Sequence, residues 1–251
     1  MVSNKPNKFT INNKYFESMS FTEFQKLQNL EFDYFFNYAF LTGNNIKDMD
    51  SKTYVKSTDK IIFEVESFFA NNQIKKALLA SSGAVYWKNT IKENIYCLQK
   101  IKQEEIFIQS ALTNNIDYKI ARIFGLLANP DFSRYEYAFT SFVNQARSNR
   151  RIVVKSDIKV ERSYLFFHFL LDFFLLDNID KRFDIFDAWN FNSDISDLAT
   201  LVAEHFDAKV EFSSDYSSRK VDRYISKDYE FQELYKKNFD LDTELKKLLI
   251  P

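Results

Sequence analysis

Short, almost continuous apolar runs alternate along this chain with longer stretches in which apolar residues recur every three or four positions. The first rhythm marks buried strands, the second helices with one inner face. Phe21 opens a weakly helical stretch, with Ser20 as N-cap and Glu23 three residues on completing a capping box. Residues 33–41 (DYFFNYAFL) read as a strand buried on both faces. A helix follows over residues 54–71, with Ile61, Ile62, Val65, Phe68 and Phe69 on one side. Residues 76–80 (KALLA) form a short strand that ends in the turn Ser81-Ser82-Gly83. Residues 96–114 are a long helix whose inner face carries Ile101, Ile106, Phe107, Ile108, Ala111 and Leu112. Further along, strands are predicted at 119–124, 151–155, 186–191 and 210–212. Helices are predicted at 137–148, 164–176, 195–205 and 228–249. Strand and helix in turn predict an α/β fold with a parallel sheet.

In open sheets of this kind, chemistry sits at the carboxyl ends of the strands, which is where Ser82 lies. Tyr96 and Lys100 are four apart and share one side of the next helix. A lysine ammonium beside a phenol favours the phenolate, so the pair can move a proton on and off a sugar or alcohol oxygen. Ser82 can hydrogen-bond that same oxygen.

The order of these pieces resembles the extended short-chain dehydrogenase/reductases, in their nucleotide-sugar epimerase/dehydratase branch. SSGAVY resembles the family's S-S-x-x-V-Y-G turn, and YCLQK its Y-x-x-x-K. ARIFGLLANP is similar to the family's A-R-x-x-N-x-Y-G-P segment, and RIVVKSDIKVERSYLF to the segment with a diphosphate-binding arginine. The C-terminal stretch from FNSDISDLATLVAE to the end resembles the substrate lobe. The resemblance implies Ser82, Tyr96 and Lys100 as catalytic residues, with Tyr96 and Lys100 also touching NAD or NADP. It implies Tyr86, Arg122, Arg162, Arg219 and Arg223 as contacts to a nucleoside-diphosphate sugar. The expected fold is a truncated Rossmann-like parallel sheet with a small C-terminal α/β substrate lobe. Residues 1–125 would be a partial nucleotide-binding domain. Residues 126–251 would be the lobe, with 151–191 partly returning to the sheet.

Where the 4,6-dehydratases carry Asp-Glu after the serine, this chain has Gly83-Ala84. That points to a 4-epimerase or 4-keto reductase, in surface polysaccharide sugar synthesis. The family's first strand and glycine-rich loop should precede residue 33, yet residues 1–32 contain no glycine. Asn37 stands where relatives have histidine, and Trp87 where they have glycine. The alternative expectation is therefore a catalytically inactive fragment, or a subunit that depends on a partner and still binds a nucleotide sugar. The partner would be a second copy or a full-length homologue.

Composition narrows the picture further. Lysine plus arginine (34) balance aspartate plus glutamate (35), a net charge of −1, which gives no footprint for nucleic acid or an anionic membrane. One cysteine rules out an internal disulfide framework, and two histidines without a cysteine pair argue against a zinc site. No apolar leader opens the chain, and the run at 164–176 is too short to span a membrane. A cytoplasmic protein is expected. His168 reads as a hydrogen-bonded core or rim residue, His205 as a complement to a helix C-terminus, and Arg150-Arg151 as a solvated turn.

Overall fold

The computed structural model describes residues 8–11, 14–130, 137–175, 184–212 and 217–249. They form two compact units, Met1–Ala80 with Ala84–Ile120, and Ser81–Gly83 with Ala121–Pro251.

The first unit begins with an antiparallel hairpin of β1 (Lys8–Ile11) and β2 (Lys14–Glu17). A single turn, α1 (Phe21–Phe24), follows, and Ser20 and Glu23 bond each other there as a capping box requires. Then come β3 (Glu31–Asn37), α2 (Ser51–Asn71), β4 (Gln73–Ser82), α3 (Ile95–Thr113) and β5 (Asp117–Ile123). The sheet order runs β3-β4-β5, and β3 lies parallel to β4 with Glu31 opposite Gln73.

Helix α2 starts where Asp50 accepts a hydrogen bond from the Thr53 amide at 3.0 Å. It buries Tyr54, Thr58, Ile62, Val65, Phe68 and Phe69, one stripe at helical spacing. Phe68 stacks on Phe24 at 4.4 Å, and Phe69 meets Phe35 and Phe107 edge-on. Each such ring buries about 1.5–3 kcal/mol of transfer free energy. Asn72 closes the helix by donating to the Leu27 and Phe68 carbonyls, and it accepts from the Leu30 amide.

Two expectations fail here. Strand β3 is not buried on both faces: among its residues only Asn37 is buried, and Tyr34 is 40% exposed. The reason is its place at the end of the sheet order, with β4 as its neighbour. Helix α3 does not turn a purely apolar face inward either. It buries Gln99, Lys100, Gln103, Glu104 and Ser110 beside Cys97, Phe107 and Ala111, and it leaves Leu112 exposed.

The second unit contains β6 (Leu126–Leu127), α4 (Ala138–Asn149), β7 (Arg151–Val154), β8 (Ile158–Phe166) and α5 (Phe167–Leu175). It continues with β9 (Ile185–Ala188), β10 (Phe191–Asp194), α6 (Ile195–Phe206), β11 (Lys209–Phe212) and β12 (Ser217–Tyr224). It ends with α7 (Glu230–Tyr235) and α8 (Leu241–Leu249). Strand β8 is the hub: β12 and β6 run parallel to it and β10 antiparallel. Strands β7 and β11 form a separate parallel pair.

The predicted helix at 164–176 is thus wrong at its start. Tyr164, Leu165 and Phe166 belong to β8, opposite Phe191, Leu126 and Leu127. A fully buried apolar run has no period that tells strand from helix, so its pairing partners decide. Leu176 lies outside the described residues. The run at 186–191 divides into β9 and β10, and the span 228–249 into α7 and α8. The Arg150-Arg151 pair is more than a solvated turn. Arg150 caps α4 in the left-handed conformation (φ 51°) and donates to the Phe206 carbonyl, while Arg151 pairs with Glu211.

Candidate active site

Helix α3 positions Tyr96 and Lys100 at its first two turns, after Asn94 caps it by accepting from the Cys97 amide. Tyr96 is half-buried and meets the Phe40 ring edge-on at 6.2 Å. The Lys100 side chain runs inward. Its Nζ donates to the Ala80 carbonyl at 3.1 Å and to Gln103 Oε1 at 2.9 Å, and it lies 4.0 Å from the centre of the Phe40 ring. A lysine ammonium has three donors, and the two oxygens take two of them. Burial pushes Lys100 down to about 7, against a smaller upward pull from Glu104. The layer beneath is also hydrogen-bonded: Thr58 donates to Gln99 Oε1 at 3.0 Å, and Tyr54 to the Leu41 carbonyl at 2.7 Å.

Tyr86, in the turn that starts α3's approach, is 52% exposed. Asn37 is buried and accepts from the Ala39 amide at 3.1 Å, which shapes the loop carrying Phe40.

In the second unit Ser82 ends β4. It is 6% exposed, and its Oγ lies 2.8 Å from the Tyr224 hydroxyl. Arg162 sits on β8 opposite Tyr224 in the parallel register. Its guanidinium donates to the Glu161 and Asp222 carbonyls and, at 2.6 Å, to Asp222 Oδ2. Arg223 Nε donates to Glu161 Oε2 at 2.5 Å, and the rest of its side chain is largely exposed. Hydrogen bonds from Lys159 and Arg223 hold the Glu161 carboxyl below its usual range. Arg122 is half-buried on β5. Arg219 lies on β12, and its side chain falls outside the described residues.

The structure therefore groups Tyr96 with Lys100 under Phe40, and Arg162 and Arg223 with Ser82's strand-end neighbour Tyr224. Sequence reasoning passed over Phe40, Phe124 and Tyr224. Nothing in their spacing marks them, because the β8–β12 register and a loop bring them in. His168 contacts Glu244 Oε2 at 3.0 Å, tying α5 to α8. Among the described residues no cluster of His, Cys, Asp or Glu is placed to hold a metal, and no helix is long and apolar enough to cross a membrane.

No protein-family model matches the sequence, and no curated protein matches it. Solved structures do. One is UDP-N-acetylglucosamine 4-epimerase from Methanobrevibacter ruminantium, with UDP-N-acetylmuramic acid bound. It shows 18% identity and a TM-score of 0.64, over 86% of this chain and 74% of that one. Another is RMD from Pseudomonas aeruginosa complexed with NADPH, at 18% identity and TM-score 0.66, over 86% and 80%. UDP-glucose 4-epimerase from Thermotoga maritima, with UDP-glucose, aligns at 16% identity and TM-score 0.63, over 86% and 76%. The fold is that of the nucleotide-sugar epimerases. At these identities the likeness is one of fold, and it confirms the α/β, Rossmann-like class expected from the sequence.

The nicotinamide cofactor implied by that fold fits these residues poorly. A pyrophosphate cradle uses glycines for tight turning and close backbone approach. Among the described residues no glycine has positive φ. A Cβ on Gly43, in the connection from β3 to α2, would meet nothing within 4 Å. Lys100 is 4% exposed, with two of its three donors engaged.

Proposed function

We propose that this chain is built on the nucleotide-sugar epimerase and 4-keto reductase plan. It binds a nucleoside-diphosphate sugar through its second unit and does not complete hydride transfer as a lone chain. The observation that carries this reading is Lys100, buried and turned inward onto Ala80, Gln103 and Phe40. On the sugar-nucleotide side, Arg162 and Arg223 offer planar forks that suit diphosphate oxygens. Both are held in place by carboxylates, Asp222 and Glu161, that a diphosphate would partly replace. Gly83 and Ala84 supply no carboxylate at the place where the 4,6-dehydratases carry Asp-Glu, which disfavours that reaction. A role with sugar nucleotides destined for surface polysaccharide follows from the same resemblance.

A second reading keeps the chain as an NAD(P)-dependent 4-epimerase or 4-keto reductase, with Ser82, Tyr96 and Lys100 in their family roles. It is favoured by the unbroken order of SSGAVY and YCLQK along the chain. Calorimetric titration with UDP and UDP-glucose tests the binding claim. The expected result is saturable binding that Arg162→Met weakens about tenfold or more, the scale of a lost charge-assisted contact. Absent binding, or binding indifferent to Arg162, contradicts it.

A further inference from the structure

Ser82 Oγ and the Tyr224 hydroxyl lie 2.8 Å apart, and Ser82 is almost wholly buried. The Tyr224 ring is fixed on two sides. The Phe124 ring lies 4.9 Å away, tilted by 49°, and the Arg162 guanidinium lies 6.0 Å from the ring centre. Phe124 stands where a Cβ on residue 83 would come within 2.4 Å of its ring, so this stack requires glycine there. Arg162 is held in turn by Asp222, two residues before Tyr224 on the same strand. Gly83, Phe124, Arg162 and Asp222 together aim one phenol hydroxyl at Ser82.

We propose that Tyr224 is the specificity-determining residue of the sugar site. It occupies one hydrogen-bonding position on the buried Ser82 hydroxyl, and a nucleotide sugar that takes that position must displace it. This rests on the nucleotide-sugar reading above. Only a sugar with a hydroxyl able to replace the phenol gains the contact. A nucleotide without a sugar gains nothing from it.

Tyr224→Phe keeps the ring on Phe124 and Arg162 and removes only the hydroxyl. UDP-glucose then binds about fivefold more tightly, the scale of one net hydrogen bond no longer broken on binding. Affinity for UDP alone is unchanged. The gain disappears when Tyr224→Phe is added to Ser82→Ala, since the competition is for Ser82 itself. A purely structural tyrosine would not produce that coupling. Unchanged or weaker UDP-glucose binding by Tyr224→Phe overturns the gate and leaves nucleotide-sugar binding standing. A gain that persists without Ser82 does the same. If the unaltered protein binds neither UDP nor UDP-glucose, the underlying reading falls and the gate falls with it.

Discussion

Lys100 shows how enclosure changes the properties of one side chain. Its spacing from Tyr96 is visible in the sequence, but its enclosure is not, because Phe40 arrives from a loop and Gln103 from the next turn of α3. The consequence is measurable through pH. Lys100 is lowered from 10.5 to about 7 by burial, so its charged form is disfavoured in the folded state. That cost is complete below about pH 7, shrinks as pH rises toward the unfolded value, and is gone above it. The urea midpoint of the unaltered protein should therefore rise, relative to Lys100→Met, between about pH 7 and about pH 10. A constant difference, or one of opposite slope, would mean that Lys100 is not enclosed. Gly83 offers a second test at this scale. Gly83→Ala sets a methyl 2.4–2.6 Å from the Phe124 ring and should cost about 1–3 kcal/mol in denaturant unfolding. Phe124→Leu should recover part of that loss, and no recovery would place the strain elsewhere.

Among the elements, those with a clear period were legible and those defined by partners were not. The stripe of α2 follows from its spacing, whereas its start, three residues earlier than expected, is set by the Asp50 cap. Helix α6, expected at 195–205, starts at Ile195 behind Asp194, whose carboxylate accepts from the Ser196 and Asp197 amides. Asp194→Ala should cost about 1 kcal/mol of stability, read as a shift in denaturation midpoint at constant slope. An unchanged midpoint would deny the cap. Strand β8 was hidden because Tyr164, Leu165 and Phe166 are apolar without alternation, and their strand identity comes from β6 and β10. Strand β12 was hidden for the converse reason: SSRKVDRY is polar, and it pairs through its backbone with Ile158 onward. Strand β3 lies at the end of its sheet order, so amide exchange over residues 33–37 should be faster than over the inner strand β4. Equal protection would indicate a neighbour on its open side.

Across the whole molecule, the alternation of strands and helices sufficed for the α/β class, and the collinear motifs for the epimerase likeness that the solved structures bear out. Phe24, Phe35, Phe68, Phe69 and Phe107 pack together in the core of the first unit, whereas Phe63 and Phe212 are exposed. The two units carry different endowments. The first encloses Lys100. The second holds Arg162 against Asp222 and the Ser82–Tyr224 pair, which we propose face a sugar diphosphate. Fluorescence titration with NADH and NADPH, with and without UDP-glucose, tests this division most directly. The account predicts no saturable binding of either cofactor by the lone chain, while UDP-glucose binds. Saturable binding of NADH or NADPH would contradict it and return Lys100 to a catalytic role.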